Sequence, residues 1–331
     1  MVVDVGSEAS RNATFKTTGL SFIALPSKEE VQACWELCRL HNNIGFWVVY
    51  IPTAWSIAMA YHAQEHLSIA DALVRAAIYV PLCFGVKSLI MTIDDILDYD
   101  IDGMVERTKG RPLPRGSISL QRAWLFFAIQ TVIGIPVRNS YASEFNSSLH
   151  VSMFAWPLYI IYPTCKRWMG LAPIPLGLMF NVGIFMGWGD LSINGSLPWH
   201  ILVPIYIGTC MWTFTYETVY QHQDKIDDVK IGINSPALFC GTYTIPICTA
   251  TAIGFFGLLS YGAFLNGQGA PVYIAIAITS YLLLNRLLRT DIDRPDDCKA
   301  LFLGTVAIGQ IVLGGFIIDA ISHRLLHGIP L

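Results

Sequence analysis

Nine apolar stretches, at about 44–61, 71–93, 120–138, 148–164, 171–190, 199–220, 236–262, 271–288 and 301–320, constrain this chain more than any other feature. A helix needs roughly 20 predominantly apolar residues to cross the hydrocarbon of a bilayer. In that solvent a helix satisfies every backbone polar group internally, so the expected fold class is an all-α membrane protein, a bundle of nine transmembrane helices. Composition agrees, with 53% hydrophobic residues, 14% charged residues and a mean hydropathy of +0.50, a balance no ordinary soluble domain presents to water. The fourth stretch is the shortest and contains Pro157, which predicts a kink or a displaced end there.

Lys and Arg gather in the connections after the second, fourth, sixth and eighth stretches, among them Arg107, Lys109, Arg111, Lys166, Arg167, Lys225, Lys230 and Arg289. By the positive-inside rule these loops and the N-terminus face the cytosol. Residues 1–30 are polar and uneven, and are expected to be a flexible arm ahead of a catalytic domain at 31–331. That arm is not the Arg-rich, acid-poor stretch of a mitochondrial presequence, so an endomembrane location, endoplasmic reticulum or Golgi, is expected over the mitochondrial inner membrane. A net charge of -3 with no basic run argues against nucleic acid as a partner. The eight cysteines are scattered without a metal-binding pattern and read as small apolar fillers. The bilayer is the expected surroundings, and nothing marks an obligate protein partner.

The even loops also hold most of the acids. The first acidic segment runs Ile93-Asp94-Asp95-Ile96-Leu97-Asp98-Tyr99-Asp100-Ile101-Asp102. Asp95, Asp98 and Asp102 stand at i, i+3 and i+7 and form one stripe if the helix continues. Three carboxylates facing one way repel each other unless a hard divalent cation lies between them. Magnesium is usually held by one or two carboxylates plus phosphate oxygens, so the spacing suits a diphosphate better than a closed cage. Asp100 falls off the stripe and is explained as a solvated loop acid.

A second segment places Glu217, Tyr220, Asp224 and Asp228 at helical spacing, a second platform for a metal. Two metals can clamp the two phosphates of one leaving group. Basic residues follow each platform, and Arg111, locked ahead of Pro112 and Pro114, is expected to bind phosphate in the bidentate manner open to arginine.

With these residues in place the chain resembles the UbiA-type intramembrane prenyltransferase superfamily. Asp94-Asp95-Ile-Leu-Asp98-Tyr-Asp-Ile-Asp102 with Arg107-Thr108-Lys109-Gly110-Arg111-Pro112 is similar to the family's NDxxDxxxD and RTxxRP. Tyr220 to Ser235 is similar to YxxxDxxxDxxxGIKS, Tyr162-Pro163-Thr-Cys-Lys166-Arg167 to YPxxKR, and Arg39 to Gly45 to RxxKPxG; Leu176 to Trp188, with Asn181, resembles the family's next helix. The resemblance implies a central cavity opening at the cytosolic face, Mg2+ on Asp94, Asp95, Asp98, Asp102, Asp224 and Asp228, and a prenyl chain among the spans. It further implies substrate contacts from Arg39, Asn43, Arg111, Tyr162, Lys166, Asn181, Tyr220 and Lys230. The implied reaction is Mg2+-dependent transfer of a prenyl group, farnesyl by expectation, from its diphosphate to a phenolic acceptor. The expected setting is that of fungal enzymes making terpenoid secondary metabolites.

The chain departs from the pattern at Asp94, at Asn42-Asn43 in place of Lys-Pro, and at Asn234 in place of a lysine. These departures leave a terpene cyclase acting on farnesyl diphosphate alone as the alternative, and a cation-coordinating transporter as a distant one. Trp55, Trp156, Trp188 and Trp212 are candidates for a cation-stabilising wall, with core or interfacial packing the stronger reading for most of them.

Overall fold

A computed structural model of the chain describes residues 25–142 and 146–331. The expected polar arm lies, through residue 24, outside the described residues. The rest is helical: α1 (Lys28–Leu37), α2 (Ile44–Ala63), α3 (Ile69–Leu97), α4 (Tyr99–Asp102), α5 (Leu120–Ala142), α6 (Asn146–Met153), α7 (Trp156–Thr164), α8 (Pro173–Phe180), α9 (Gly183–Gly189), α10 (Trp199–Tyr220), α11 (Lys225–Ile231), α12 (Pro236–Cys240), α13 (Thr244–Leu265), α14 (Ala270–Arg289) and α15 (Pro295–His327). No strand occurs among the described residues.

Five helical segments among the described residues are long and apolar enough to cross a membrane: α2, α3, the α12–α13 run Pro236–Leu265, α14 and α15. Shorter apolar helices, Leu120–Ile133 and Pro173–Gly189, stand where the third and fifth stretches were expected. The interruptions have local causes. The fourth stretch breaks between α6 and α7, with Pro157 in the first turn of α7, where a missing N–H costs nothing. The fifth breaks at Asn181 (φ -95°, ψ 3°), whose Nδ2 donates to Thr213 Oγ1 (2.9 Å) and to the Gly177 carbonyl (2.8 Å), which also accepts the Asn181 backbone N–H. Ser27 and Ser68 open α1 and α3 through capping boxes with Glu30 and Asp71.

Helix α2 is the axis of the bundle, buried along most of its length, and it packs against α3, α9 and α15. Between apolar helices in lipid there is no hydrophobic drive to associate, so close approach through small residues takes over. Gly183 and Gly187 on α9 provide it. A Cβ at Gly187 would stand 2.6 Å from the Thr53 carbonyl, and one at Gly183 would collide with the Thr53 hydroxyl. Behind this contact Trp55, Trp212 and Phe255 stack, with Trp55 and Trp212 centroids 5.6 Å apart and Trp212 and Phe255 5.5 Å apart. Trp55 Nε1 donates to the Gly309 carbonyl at 3.0 Å, anchoring α2 to α15.

Candidate active site

Helix α3 ends at Leu97 because Asp98 (φ -101°, ψ 5°) leaves the helical region, and α4 resumes for one turn. The stripe survives this break. Asp95, Asp98 and Asp102 are 2%, 0% and 2% exposed, whereas Asp100 is in the open and pairs with Arg167 at 2.7 Å. That guanidinium keeps the Asp100 carboxyl below the ordinary range.

Each inward acid has a cation. Asp95 Oδ1 accepts from Arg39 at 2.6 Å and from Arg111 at 3.1 Å, and Arg111 also reaches Asp102 Oδ2 at 2.5 Å. Lys166 Nζ donates to Asp98 Oδ2 at 2.9 Å, leaving the buried Asp98 Oδ1 with no partner. Burial pushes the Asp98 carboxyl up, against the pull of Lys166. Burial also disfavours the Lys166 ammonium, yet Asp98 and Asp94 outweigh it and hold its pKa above the ordinary value. Asp94 lies 3.9 Å from Arg39.

The second platform bends in the same way. α10 gives way to a 3-10 turn over Gln221–Asp224 before α11 starts, so Glu217, Tyr220, Asp224 and Asp228 follow a broken helix. Arg107, from the loop after the first platform, grips Asp224 with two bonds, Nε to Oδ1 at 2.8 Å and Nη2 to Oδ2 at 2.5 Å. Its guanidinium sits 5.5 Å from the Tyr220 ring centroid, and Nη1 is 3.4 Å from the Tyr220 hydroxyl. Asp228 is 4% exposed, and burial raises its pKa to about 6.

These groups surround one cavity of about 150 Å3. Asp94 and Asp102 line it from the first platform and Glu217, Tyr220, Asp224 and Asp228 from the second; Arg39, Arg107, Arg111, Lys166 and Tyr162 complete the polar wall. Val48, Met91, Leu176, Phe180 and Phe302 give it an apolar side. A polyanion fits among the cations and acids, and an isoprenoid fits the apolar side.

Five of the expected site residues stand away from the cavity wall. Asn43 is exposed at the N-terminus of α2 and does not line the cavity; Asn42 does, its Oδ1 accepting the Ile44 N–H at 3.0 Å. Lys230 is exposed and pairs with Asp227 one turn away at 3.0 Å. Asn181 is buried in the break of the fifth stretch and lies off the cavity wall. Asp95 and Asp98 stand behind that wall, Asp95 holding Arg39 and Arg111 and Asp98 holding Lys166. Trp55 and Trp212 belong to the core. Arg107 and Glu217, noted in their segments but not counted as site residues, line the cavity. So does Lys87, whose only sequence signal was a charge inside an otherwise apolar run.

The resemblance calls for Mg2+, and the donor set fits it. Carboxylates from both platforms reach one cavity, and a buried carboxylate oxygen, Asp98 Oδ1, is without a partner. Among the described residues no group of three or more His, Cys, Asp or Glu side chains is arranged to hold a metal ion by itself, so phosphate and water would have to complete the coordination.

Residues 49–309 match the UbiA prenyltransferase family. The human protein named 4-hydroxybenzoate polyprenyltransferase, mitochondrial, is 34% identical over 290 residues, 85% of this chain and 74% of that one. The 4-hydroxybenzoate geranyltransferase 2 of Lithospermum erythrorhizon is 32% identical over 299 residues, 90% of this chain and 94% of that one. Among solved structures, a UbiA homolog from Aeropyrum pernix K1 superposes with a TM-score of 0.67 at 23% identity, covering 82% of this chain and 97% of that one. A homolog from Archaeoglobus fulgidus bound to GPP and Mg2+ gives 0.57 at 15% identity, covering 85% and 99%; at such identities these two establish the fold. The chain therefore belongs to the UbiA prenyltransferase family, and it is a multi-pass membrane enzyme that transfers prenyl groups.

Proposed function

We propose that the cavity binds a prenyl diphosphate with Mg2+ and transfers the prenyl group to a phenolic acid of the 4-hydroxybenzoate type. The observation that carries this reading is the convergence of two acidic platforms and four cations, Arg39, Arg107, Arg111 and Lys166, on one cavity with an apolar side. Asp94 and Asp102, which line the cavity, with Asp98 behind them, would hold metal on one side, and Asp224 and Asp228, with Glu217 adjacent, on the other. When bound, Mg2+ supplies charge neutralisation to the leaving diphosphate.

The four cations, now tied to acids, are the groups that would turn to the phosphate oxygens of a bound diphosphate. Tyr162 and Tyr220 stand at the same wall, where their hydroxyls can donate to the diphosphate. The C1–O bond breaks with both electrons going to the diphosphate, and a ring carbon beside the phenolic oxygen attacks C1. That carbon then loses its proton to water or a cavity carboxylate. The apolar wall excludes water, which otherwise competes for the cation.

Relatives named for 4-hydroxybenzoate support a phenolic acid over the acceptors of secondary metabolism, and they include both polyprenyl and geranyl enzymes, so farnesyl serves as a probe rather than the assigned donor. Several relatives carry "mitochondrial" in their names, which favours the mitochondrial inner membrane over the endomembranes. We also infer that residues 31–331 act as one catalytic unit crossing the membrane nine times, the cavity opening on the side of the Lys- and Arg-rich loops. Mass spectrometry of products from membranes given geranyl, farnesyl and longer diphosphates tests the reading. Adding 4-hydroxybenzoate should yield a carbon–carbon linked adduct. A cyclic hydrocarbon formed from the diphosphate alone would replace this reading with the cyclase.

A further inference from the structure

Of the five cations on the cavity wall, four are matched by carboxylates and one is not. Lys87 is 2% exposed, and its Nζ donates to the Arg39 carbonyl at 2.7 Å; among the described residues it has no acid partner. Nζ also lies 5.9 Å from the centroid of the Phe84 ring, but one carbonyl and a ring face leave two of its three N–H donors without an oxygen acceptor at membrane depth, where an unbalanced ammonium is costly.

Its surroundings add to the positive potential. The Lys87 stem passes over Gly45, where a Cβ would stand 3.3 Å from Lys87 Cγ, so the missing side chain makes room for it. Gly45 is in the first turn of α2, whose cap residue Asn43 makes no side-chain bond. The N–H groups of Gly45 and Phe46 therefore have no acceptor within the helix, and the positive end of the α2 dipole points to the same place. Lys87, Asn42, Ile44 and Gly45 all line the cavity. A cation beside a helix N-terminus repels it, and an anion between them removes that cost.

The diphosphate is not that anion. Lys87 precedes Asp94 by two turns of α3, roughly 10 Å along the axis, whereas the other four cations cluster at the acidic platforms. We propose that Lys87, with the first turn of α2, binds the carboxylate of the aromatic acceptor and so selects hydroxyaryl carboxylic acids over neutral phenols. This rests on the proposed transferase reading and adds to it the acceptor's charge and its docking residue.

The full-length enzyme in membranes tests it with 4-hydroxybenzoate and its methyl ester as paired acceptors at saturating prenyl diphosphate and Mg2+. Lys87→Met should lower kcat/KM for the acid roughly ten- to hundredfold more than for the ester, through KM, as loss of a charge-assisted bond does. Lys87→Arg should retain the preference for the acid, and the KM for the diphosphate should stay within about twofold in both variants. An unchanged acid-to-ester ratio in Lys87→Met, or a loss that falls on the diphosphate KM, overturns the assignment while leaving the transferase standing. A wild-type enzyme that prenylates neither acceptor overturns the transferase reading and this inference together.

Discussion

The cations of the cavity wall and Arg324, at the other end of the bundle, bury their charge in opposite ways. At the cavity end, Arg39, Arg107, Arg111 and Lys166 are bonded to carboxylates. At the other end Arg324, 1% exposed, spends its donors on the carbonyls of Tyr61, Gln64, Leu67 and Pro330, at 2.7 to 3.1 Å, with its guanidinium 3.8 Å from the Tyr61 ring centroid. It thereby closes the C-terminal end of α2 on the favourable pole of that helix. Backbone carbonyls are fixed by the fold and no ligand displaces them, so Arg324 is structural. Carboxylates can change partners when metal and phosphate arrive, which makes the cavity end a place for chemistry. The nature of the partner, more than the depth of burial, separates the two kinds of buried cation.

The largest expected effect lies at the cavity end. Asp98→Asn and Asp224→Asn each remove a ligand charge from one platform and should lower kcat by about 10²- to 10⁴-fold with little change in thermal stability. A thermal shift as large as the activity loss implies would erase the contrast with Arg324.

Arg324→Ala should behave in reverse, costing about 2–4 kcal/mol of stability by leaving buried carbonyls unpaired, while activity per folded molecule is kept. Differential scanning of the purified protein alongside turnover per active site reads both numbers. Arg324→Lys should recover only part of the loss, because an ammonium cannot reproduce the planar fork.

The smallest effect belongs to Asp100→Asn. Its pair with Arg167 is solvent-exposed on both sides, and such pairs contribute at most about 1 kcal/mol. Turnover within about threefold of wild type is expected. If Asp100→Asn matches Asp98→Asn, the inward stripe has been assigned to the wrong face.

The stripe itself was readable because its spacing is a property of the helix and survives the break at Asp98. Residues next to a helix start were not. Helix α2 begins at Ile44, so Asn42 and Asn43 lie ahead of it where no helical period fixes which side chain faces the cavity, and the fold turns Asn42 to it and Asn43 away. In the sequence Lys230 and Arg107 each follow an acidic motif, and the resemblance points to Lys230, not Arg107, as a substrate contact. Only the fold shows that Arg107 crosses from the first platform to Asp224, whereas Lys230 bonds its own helix at Asp227. Asn181 is expected as a substrate group from the resemblance of its helix to the family's, yet its amide bonds the Gly177 carbonyl and Thr213 at the break between two helices. Lys87, a charge inside an otherwise apolar run, lines the cavity. Partners decide such cases, and partners are not written in local sequence.

The central claim is that the acids of the two platforms work through a divalent cation. Turnover of farnesyl diphosphate with 4-hydroxybenzoate, followed in washed membranes as free Mg2+ is titrated down with chelator, tests it most directly. The account predicts that adduct formation falls to background in excess chelator and returns when Mg2+ is restored. Full turnover in excess chelator would contradict it.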